Sequence, residues 1–143
     1  MKLSHLVTVI LFLAGCAAAQ TKAQIETGAI SAARSVRQKL SDPDSFRVSS
    51  VKVLPESLEA SEDGKPYRYI CFEGRSKNKM GGYSELMAVV TVSATLHPLP
   101  NSTWVGTLDT PIAGPVVAHS CAKPGIDMTD AVKAALKADR EKD

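Results

Sequence analysis

The chain has 143 residues, a length that suits one ordinary domain and leaves no room for a second hydrophobic core. Hydrophobic residues make up 44% and charged residues 22%, values typical of a folded domain rather than a disordered chain. A formal net charge of +2 is too small to indicate nucleic-acid binding, and an aromatic content of 5% argues against clefts that stack bases or sugars.

The N-terminus has the pattern of an export signal. Lys2 precedes a run at 6–13 that is apolar except for Thr8. A run of this length is typical of the central part of a signal peptide and falls well short of the ~20 residues that a membrane-spanning helix needs. We therefore expect residues 1–15 to be a signal peptide and the protein to be exported.

The sequence LAGC at 13–16 resembles a bacterial lipobox, in which the cysteine is acylated and the chain is then cleaved in front of it. It predicts a lipidated Cys16 on a single domain, 16–143. Ala17 stands where an aspartate would retain a lipoprotein on the inner membrane, so in a cell with two membranes we expect an outer-membrane lipoprotein that faces the periplasm. Cleavage after Ala19 is the alternative, because three alanines also fit the small-residue rule of ordinary signal peptidase, and it would give a soluble periplasmic or secreted protein.

Two cysteines remain once Cys16 is assigned to lipid. Exported proteins fold in an oxidising compartment, so the sequence predicts a disulfide between Cys71 and Cys121. Closing a loop of this size stabilises a domain by about 4 kcal/mol in the chain-entropy model. Free buried thiols are the alternative.

Hydrophobic periodicity predicts an α+β fold: an N-terminal helix, an antiparallel sheet of four to five strands and a C-terminal helix, with one or both helices on one face of the sheet. Thr21 and Gln24 form a capping box for the first helix, and Pro43 ends it. The last helix is capped by Asp127 or Thr129. The expected helices are 20–40 and 128–140, and the expected strands are 46–53 with a bulge at Ser49-Ser50, 67–73, 85–96, 104–105 and 115–121. The disulfide would then join the second strand to the last one, and the acidic segment 55–66 would be a solvated loop.

Two segments resemble the signatures of an uncharacterised family of small exported bacterial proteins. Residues 42–47 (DPDSFR) match a D-P-[DE]-S turn that leads into a Phe-Arg strand, and residues 71–83 (CFEGRSKNKMGGY) match a pattern like C-G-x-V-N-x-K-N-x-x-G-G-Y. Three positions depart from the second pattern: Phe72, Gly74 and Arg75. The resemblance covers about 36–92 and implies a fold without implying an activity.

The second of these segments has the composition of a hairpin turn that carries cations. Gly81-Gly82 permits positive φ, and the Asn78 side chain can cap the turn. Its cations would project together and could contact peptidoglycan, a lipid headgroup or the acidic patch of an envelope protein. A turn that only improves solubility is the simpler interpretation. The candidate partner-binding residues are Arg75, Lys77, Asn78, Lys79 and Tyr83.

The sequence offers little for catalysis. Motifs of the common hydrolase, nucleotide-binding and zinc-protease classes are absent from it. On a strand, His119 and Cys121 would share one side, so a Cys-His nucleophile, or a zinc site completed by Cys71 and His97, is conceivable. A disulfide would remove both thiols. We therefore expect a non-enzymatic binding or structural module with no catalytic, metal or cofactor site, whose partner is an envelope protein or peptidoglycan. A soluble inhibitor or ligand carrier and, third, a Cys-His enzyme are the alternatives.

Overall fold

The computed structural model describes residues 20–57, 64–107 and 113–142 and, in the last range, side chains from Val117 onward. The elements are α1 (Lys22–Arg37), a 3-10 turn (Pro43–Ser45), β1 (Arg47–Val53), β2 (Tyr67–Lys77), β3 (Tyr83–Ser93), β4 (Pro98–Gly106), α2 (Ala113–Cys121), β5 (Ile126–Asp127) and α3 (Thr129–Arg140). The strands form one antiparallel sheet of five in the order β4-β3-β2-β1-β5, so the expected α+β fold is confirmed. The expected signal peptide, Cys16 and the centre of the acidic loop lie outside the described residues.

Helix α1 begins where the sequence predicts. The Thr21 hydroxyl accepts from the Gln24 backbone N–H, and the Gln24 side chain accepts from the Thr21 N–H, so the capping box is confirmed. The helix ends at Arg37, three residues before the expected position, and a separate 3-10 turn begins at Pro43. Its buried face carries small residues, which let the helix axis approach the sheet closely.

The main core lies between one face of the sheet and the helices α1 and α3. We call this the helical face. Alternate residues of the central strands point into it, as strand geometry requires. Its largest fully buried side chains are Val36, Phe46, Val51, Val53, Ile70, Phe72, Val90, Val92, Leu96, Val132 and Leu136.

The expected bulge in β1 is confirmed. The register against β2 shifts between Val48 and Ser50, so hydrophobic residues before and after the bulge both reach the helical face. Gly74 lies opposite, where a Cβ atom would be 2.4 Å from the Arg47 carbonyl oxygen. Only glycine allows the two strands to approach this closely beside the bulge.

The expected strand at 115–121 is wrong, because this segment belongs to helix α2. A short apolar run cannot distinguish a strand from a helix by its periodicity, and Pro115 is tolerated in the first turn of a helix. The disulfide between Cys71 and Cys121 is present, but it joins β2 to α2 rather than two strands. Residues two apart on a helix point to different sides, so His119 and Cys121 do not share one face as expected.

Helix α2 covers part of the opposite face of the sheet, which we call the disulfide face. A small buried cluster lies there, formed by Leu54, Cys71, Val89 and Cys121. The Lys52 ammonium of β1 donates to the Cys121 carbonyl at 3.0 Å, which satisfies a carbonyl at the C-terminal end of α2.

Three other element boundaries differ from expectation. β2 continues to Lys77 because 74–77 pair with residues that open β3, so the turn is shorter than the expected 74–84 segment. β4 begins at Pro98, and its prolines are tolerated because β4 is an edge strand. The N-cap position of α3 is Met128, whose side chain does not cap; Asp127 instead accepts from the Thr129 N–H. Within the described ranges, no helix has the length and apolar composition that a bilayer crossing requires.

Candidate functional site at the end of the β2–β3 hairpin

Asn78 builds the turn between β2 and β3. Its Oδ1 accepts from the N–H groups of Met80 and Gly82 at 3.0 and 3.1 Å, and its Nδ2 donates to the Ser84 hydroxyl at 3.2 Å. Gly81 has a φ of 83°, a left-handed conformation that glycine adopts without strain. The predicted turn roles of Asn78 and Gly81 are therefore confirmed, whereas Gly82 does not adopt a positive φ. With both ends of its amide bonded within the turn, Asn78 is a structural residue rather than a contact residue.

The two segments that resemble family signatures meet at the base of this turn. The Ser45 hydroxyl accepts from the Lys77 N–H at 2.8 Å and donates to the Asp42 carbonyl at 2.7 Å. Asp42 in turn accepts from the Ser45 N–H through its carboxylate, which closes the 3-10 turn. The hydrogen bond between the Lys77 N–H and the Ser45 hydroxyl thus joins the hairpin end to the 3-10 turn.

Arg75 and Lys77 lie on the disulfide face of β2, beyond the part that α2 covers. The Arg75 guanidinium carbon is 5.3 Å and the Lys77 Nζ 5.9 Å from the centroid of the Tyr83 ring. Lys77 and Tyr83 are direct cross-strand partners, so strand pairing places both cations beside one aromatic face. The structure therefore brings together three of the five candidate residues, on a ring that is 48% exposed.

Lys79 and Met80 occupy the outermost part of the turn. The Met80 side chain is 95% exposed, far more than any other large hydrophobic residue described. Sequence analysis did not select Met80, although a methionine between a lysine and two glycines in a turn is a usable signal. Within the described part of the chain, no carboxylate lies within ion-pair distance of Arg75, Lys77 or Lys79.

Further cations lie at the same end of the molecule. Arg47 is the cross-strand neighbour of Arg75, and Arg140 donates to the Phe46 carbonyl at 3.5 Å. Burial and the nearby Arg47 and Arg37 lower the pKa of Arg140, but a guanidinium remains charged in proteins. These cations were not found from sequence because they meet through strand register and helix packing.

On the helix side of the hairpin end, Arg34 and Arg37 are paired with carboxylates. Arg34 forms a bidentate ion pair with Asp139, with N–O distances of 2.9 and 3.0 Å. Arg37 pairs with Asp44 at 2.5 Å. These pairs join α1 to α3 and to the 3-10 turn. Among the described residues, Arg75, Lys77 and Lys79 of the hairpin form no ion pair, in contrast to Arg34 and Arg37 on the helix side.

The cysteines and histidines considered for catalysis or zinc binding do not form a common site among the described residues. Cys71 and Cys121 share a disulfide, so in this state neither sulfur can act as a nucleophile or as a metal ligand. His97 and His119 are both exposed; His97 lies between β3 and β4, and His119 lies in α2. Among the residues that the structure describes, no group of three or more histidine, cysteine, aspartate or glutamate side chains is arranged to hold a metal ion.

Comparisons with models of known protein families, with curated protein sequences and with solved structures found no match. The resemblance stated from the two sequence signatures therefore stays a prediction, and the functional proposal is drawn from the residues and geometry of this chain.

Proposed function

We propose that this protein is a membrane-anchored envelope lipoprotein that acts as a non-enzymatic binding module, with the end of the β2–β3 hairpin as its binding surface. The observation that carries the proposal is the LAGC sequence at 13–16, which stands only a few residues before the capping box of α1. Two or three acyl chains on Cys16 would hold the domain on a bilayer, because each buried methylene contributes ~0.8 kcal/mol.

The disulfide supports an exported location. Disulfides persist in oxidising compartments and are rare where thiols are kept reduced. The Cys71–Cys121 bond joins residues 50 apart in sequence and lies in a buried cluster, which is typical of a structural bond. An exported protein with such a bond fits the periplasmic side of a membrane.

The hairpin end supports a binding role. Among the described residues its cations Arg75, Lys77 and Lys79 form no ion pair, and the hairpin also exposes about half of Tyr83 and nearly all of Met80. Asn78 and Ser45 already fix its backbone, so a partner would not have to order it, and the entropy cost of binding would be small.

The test is mass spectrometry of the full chain expressed with its own N-terminus in a bacterial host, after membranes are separated from the soluble fraction. We expect an acylated Cys16 at the N-terminus of the mature protein, in the membrane fraction, and a Cys71–Cys121 peptide. Cys16→Ser is the variant that removes only the acylation site.

The soluble alternative makes a different forecast. A mature N-terminus at Gln20 in the soluble fraction, unchanged by Cys16→Ser, would overturn the anchoring proposal. It would favour a released periplasmic or secreted binding protein.

A further inference from the structure

The start of the described chain and the end of the hairpin lie at opposite ends of the sheet. The Gln20 side chain donates to the Ala94 carbonyl, directly after β3. The hairpin turn lies at the other end of β3, before Tyr83. The 11 residues of β3 span about 34 Å, since an antiparallel strand rises about 3.4 Å per residue.

Helix α1 confirms this direction. Its N-terminus follows Gln20, and its C-terminal Arg37 reaches Pro43 and Asp44 beside the hairpin base. A helix of 16 residues is about 24 Å long, so α1 runs along most of the distance between the two ends.

A lipid on Cys16 would therefore be attached to the end remote from the cations. Three residues separate Cys16 from Gln20, and a fully extended segment of that length reaches at most about 14 Å. Attachment at this end allows the hairpin turn to extend about 34 Å, the length of β3, from the attached end of the domain.

The residue types at the turn favour a protein partner. Arginine, tyrosine and methionine are enriched in protein–protein interfaces. Met80 offers an exposed apolar contact at the tip of the turn, next to Lys79 in sequence, while Arg75 and Lys77 lie farther back on β2 beside the Tyr83 ring. A complementary surface has an apolar pocket bordered by carboxylates.

We propose that the hairpin end binds an acidic protein surface located away from the anchoring membrane, with Met80 entering an apolar pocket and Arg75, Lys77 and Lys79 contacting the carboxylates around it. This inference rests on the proposed function, since the position of the membrane follows from acylation of Cys16.

The experiment uses the full acylated protein in phosphatidylcholine vesicles with and without phosphatidylglycerol. Two soluble probes represent an acidic protein surface: poly-L-glutamate and a glutamate–leucine copolymer. We expect both probes to bind, the copolymer more tightly. The variant Arg75→Ala/Lys77→Ala/Lys79→Ala should weaken both by about tenfold or more, because three charge contacts are removed.

Two further variants sharpen the result. Lys22→Ala/Lys65→Ala/Lys123→Ala removes the same charge from exposed positions remote from the hairpin turn and should leave the affinity for both probes unchanged. Met80→Ser should weaken the binding of the glutamate–leucine copolymer and leave the binding of poly-L-glutamate unchanged. Unchanged probe binding in the hairpin variant, or equal loss in the matched control, would overturn the inference.

Position is tested separately with a photoreactive benzoylphenylalanine at Met80. We expect crosslinks to the copolymer and none to phosphatidylglycerol in the same vesicles. Crosslinks to the lipid, or hairpin-dependent retention on isolated peptidoglycan without binding to the polypeptides, would assign the surface to a membrane or to the cell wall instead. Vesicle flotation and the mass of the N-terminus are read in parallel, so loss of anchoring is recognised independently of the hairpin result.

Discussion

The two faces of the sheet are stabilised in different ways. The helical face is covered by α1 and α3 and contains nearly all of the fully buried hydrophobic side chains. The disulfide face has a cluster of four buried residues under α2, two of which are the bonded cysteines. Beyond α2 this face is open and carries the cations of the hairpin.

This difference shows how one sheet serves two purposes. Burial of apolar surface supplies the stability of the helical face without any covalent bond. On the disulfide face, the Cys71–Cys121 bond attaches α2 covalently to β2. The uncovered remainder of the disulfide face is left free for polar and charged residues.

The largest effect is expected from removing a large side chain from the helical face. Phe72 is fully buried there, and Phe72→Ala should lower the free energy of unfolding by about 3–5 kcal/mol through lost burial and a cavity. Denaturant unfolding measures it. Leu99→Ala, at an exposed position of β4, is the matched control and should change stability by less than about 0.5 kcal/mol. Equal effects would contradict the assignment of the core.

The second-largest effect on stability is expected from removing the Cys71–Cys121 bond of the disulfide face. Cys71→Ala/Cys121→Ala should lower the free energy of unfolding by about 2–4 kcal/mol, because the unfolded chain regains the freedom that the loop closure removed. A reducing agent should destabilise the original protein by a similar amount and leave the double variant unchanged. Insensitivity of the original protein to reduction would show that the bond does not stabilise the fold.

A smaller effect is expected in the hairpin turn. Asn78→Ala removes the acceptor of two backbone N–H groups and should lower the free energy of unfolding by about 1 kcal/mol. The neighbouring Lys79→Ala leaves the turn intact and should not change the thermal midpoint. If the two variants behaved alike, the side chain of Asn78 would not be what holds the turn.

The ion pair between Arg34 of α1 and Asp139 of α3 predicts a pH dependence of the stability. The hydrogen bond from Arg34 is the main cause that lowers the pKa of Asp139 below its usual value. The stabilisation from this carboxylate is therefore fully present above the ordinary pKa of an aspartate, about 3.9, and is lost as the pH falls through the lower folded value. Asp139→Asn should reduce the acid sensitivity of unfolding, measured from pH 2 to 6. Arg34→Ala should also reduce the acid sensitivity of unfolding, because it removes the partner that lowers the pKa of Asp139. If only one of the two variants had this effect, the Arg34–Asp139 pair would not be the cause of the acid sensitivity.

The smallest effect on stability is expected from the hairpin cations. Arg75→Ala/Lys77→Ala/Lys79→Ala removes no described ion pair and two exposed cation–aromatic contacts, so the free energy of unfolding should change by less than about 1 kcal/mol. Thermal unfolding with the probe-binding assay measures both properties. A large loss of stability would mean that this segment serves the fold rather than a partner.

The sequence by itself determined the features that depend on neighbouring residues. The capping box at Thr21, the turn built by Asn78 and the bulge beside Ser50 follow from side chains within a few positions of one another. The pairing of Cys71 with Cys121 could also be predicted, because these two cysteines remain if Cys16 carries the proposed lipid.

Tertiary structure decided what depends on distant residues. Segment 115–121 is helical although its apolar run fits a strand equally well, since packing and a covalent bond to β2 select the conformation of a short run. The placement of Arg47 beside Arg75 required the register across a bulge. The separation of Gln20 from the hairpin turn required the direction of β3 in the sheet, because local periodicity contains no information on where two remote segments lie relative to each other.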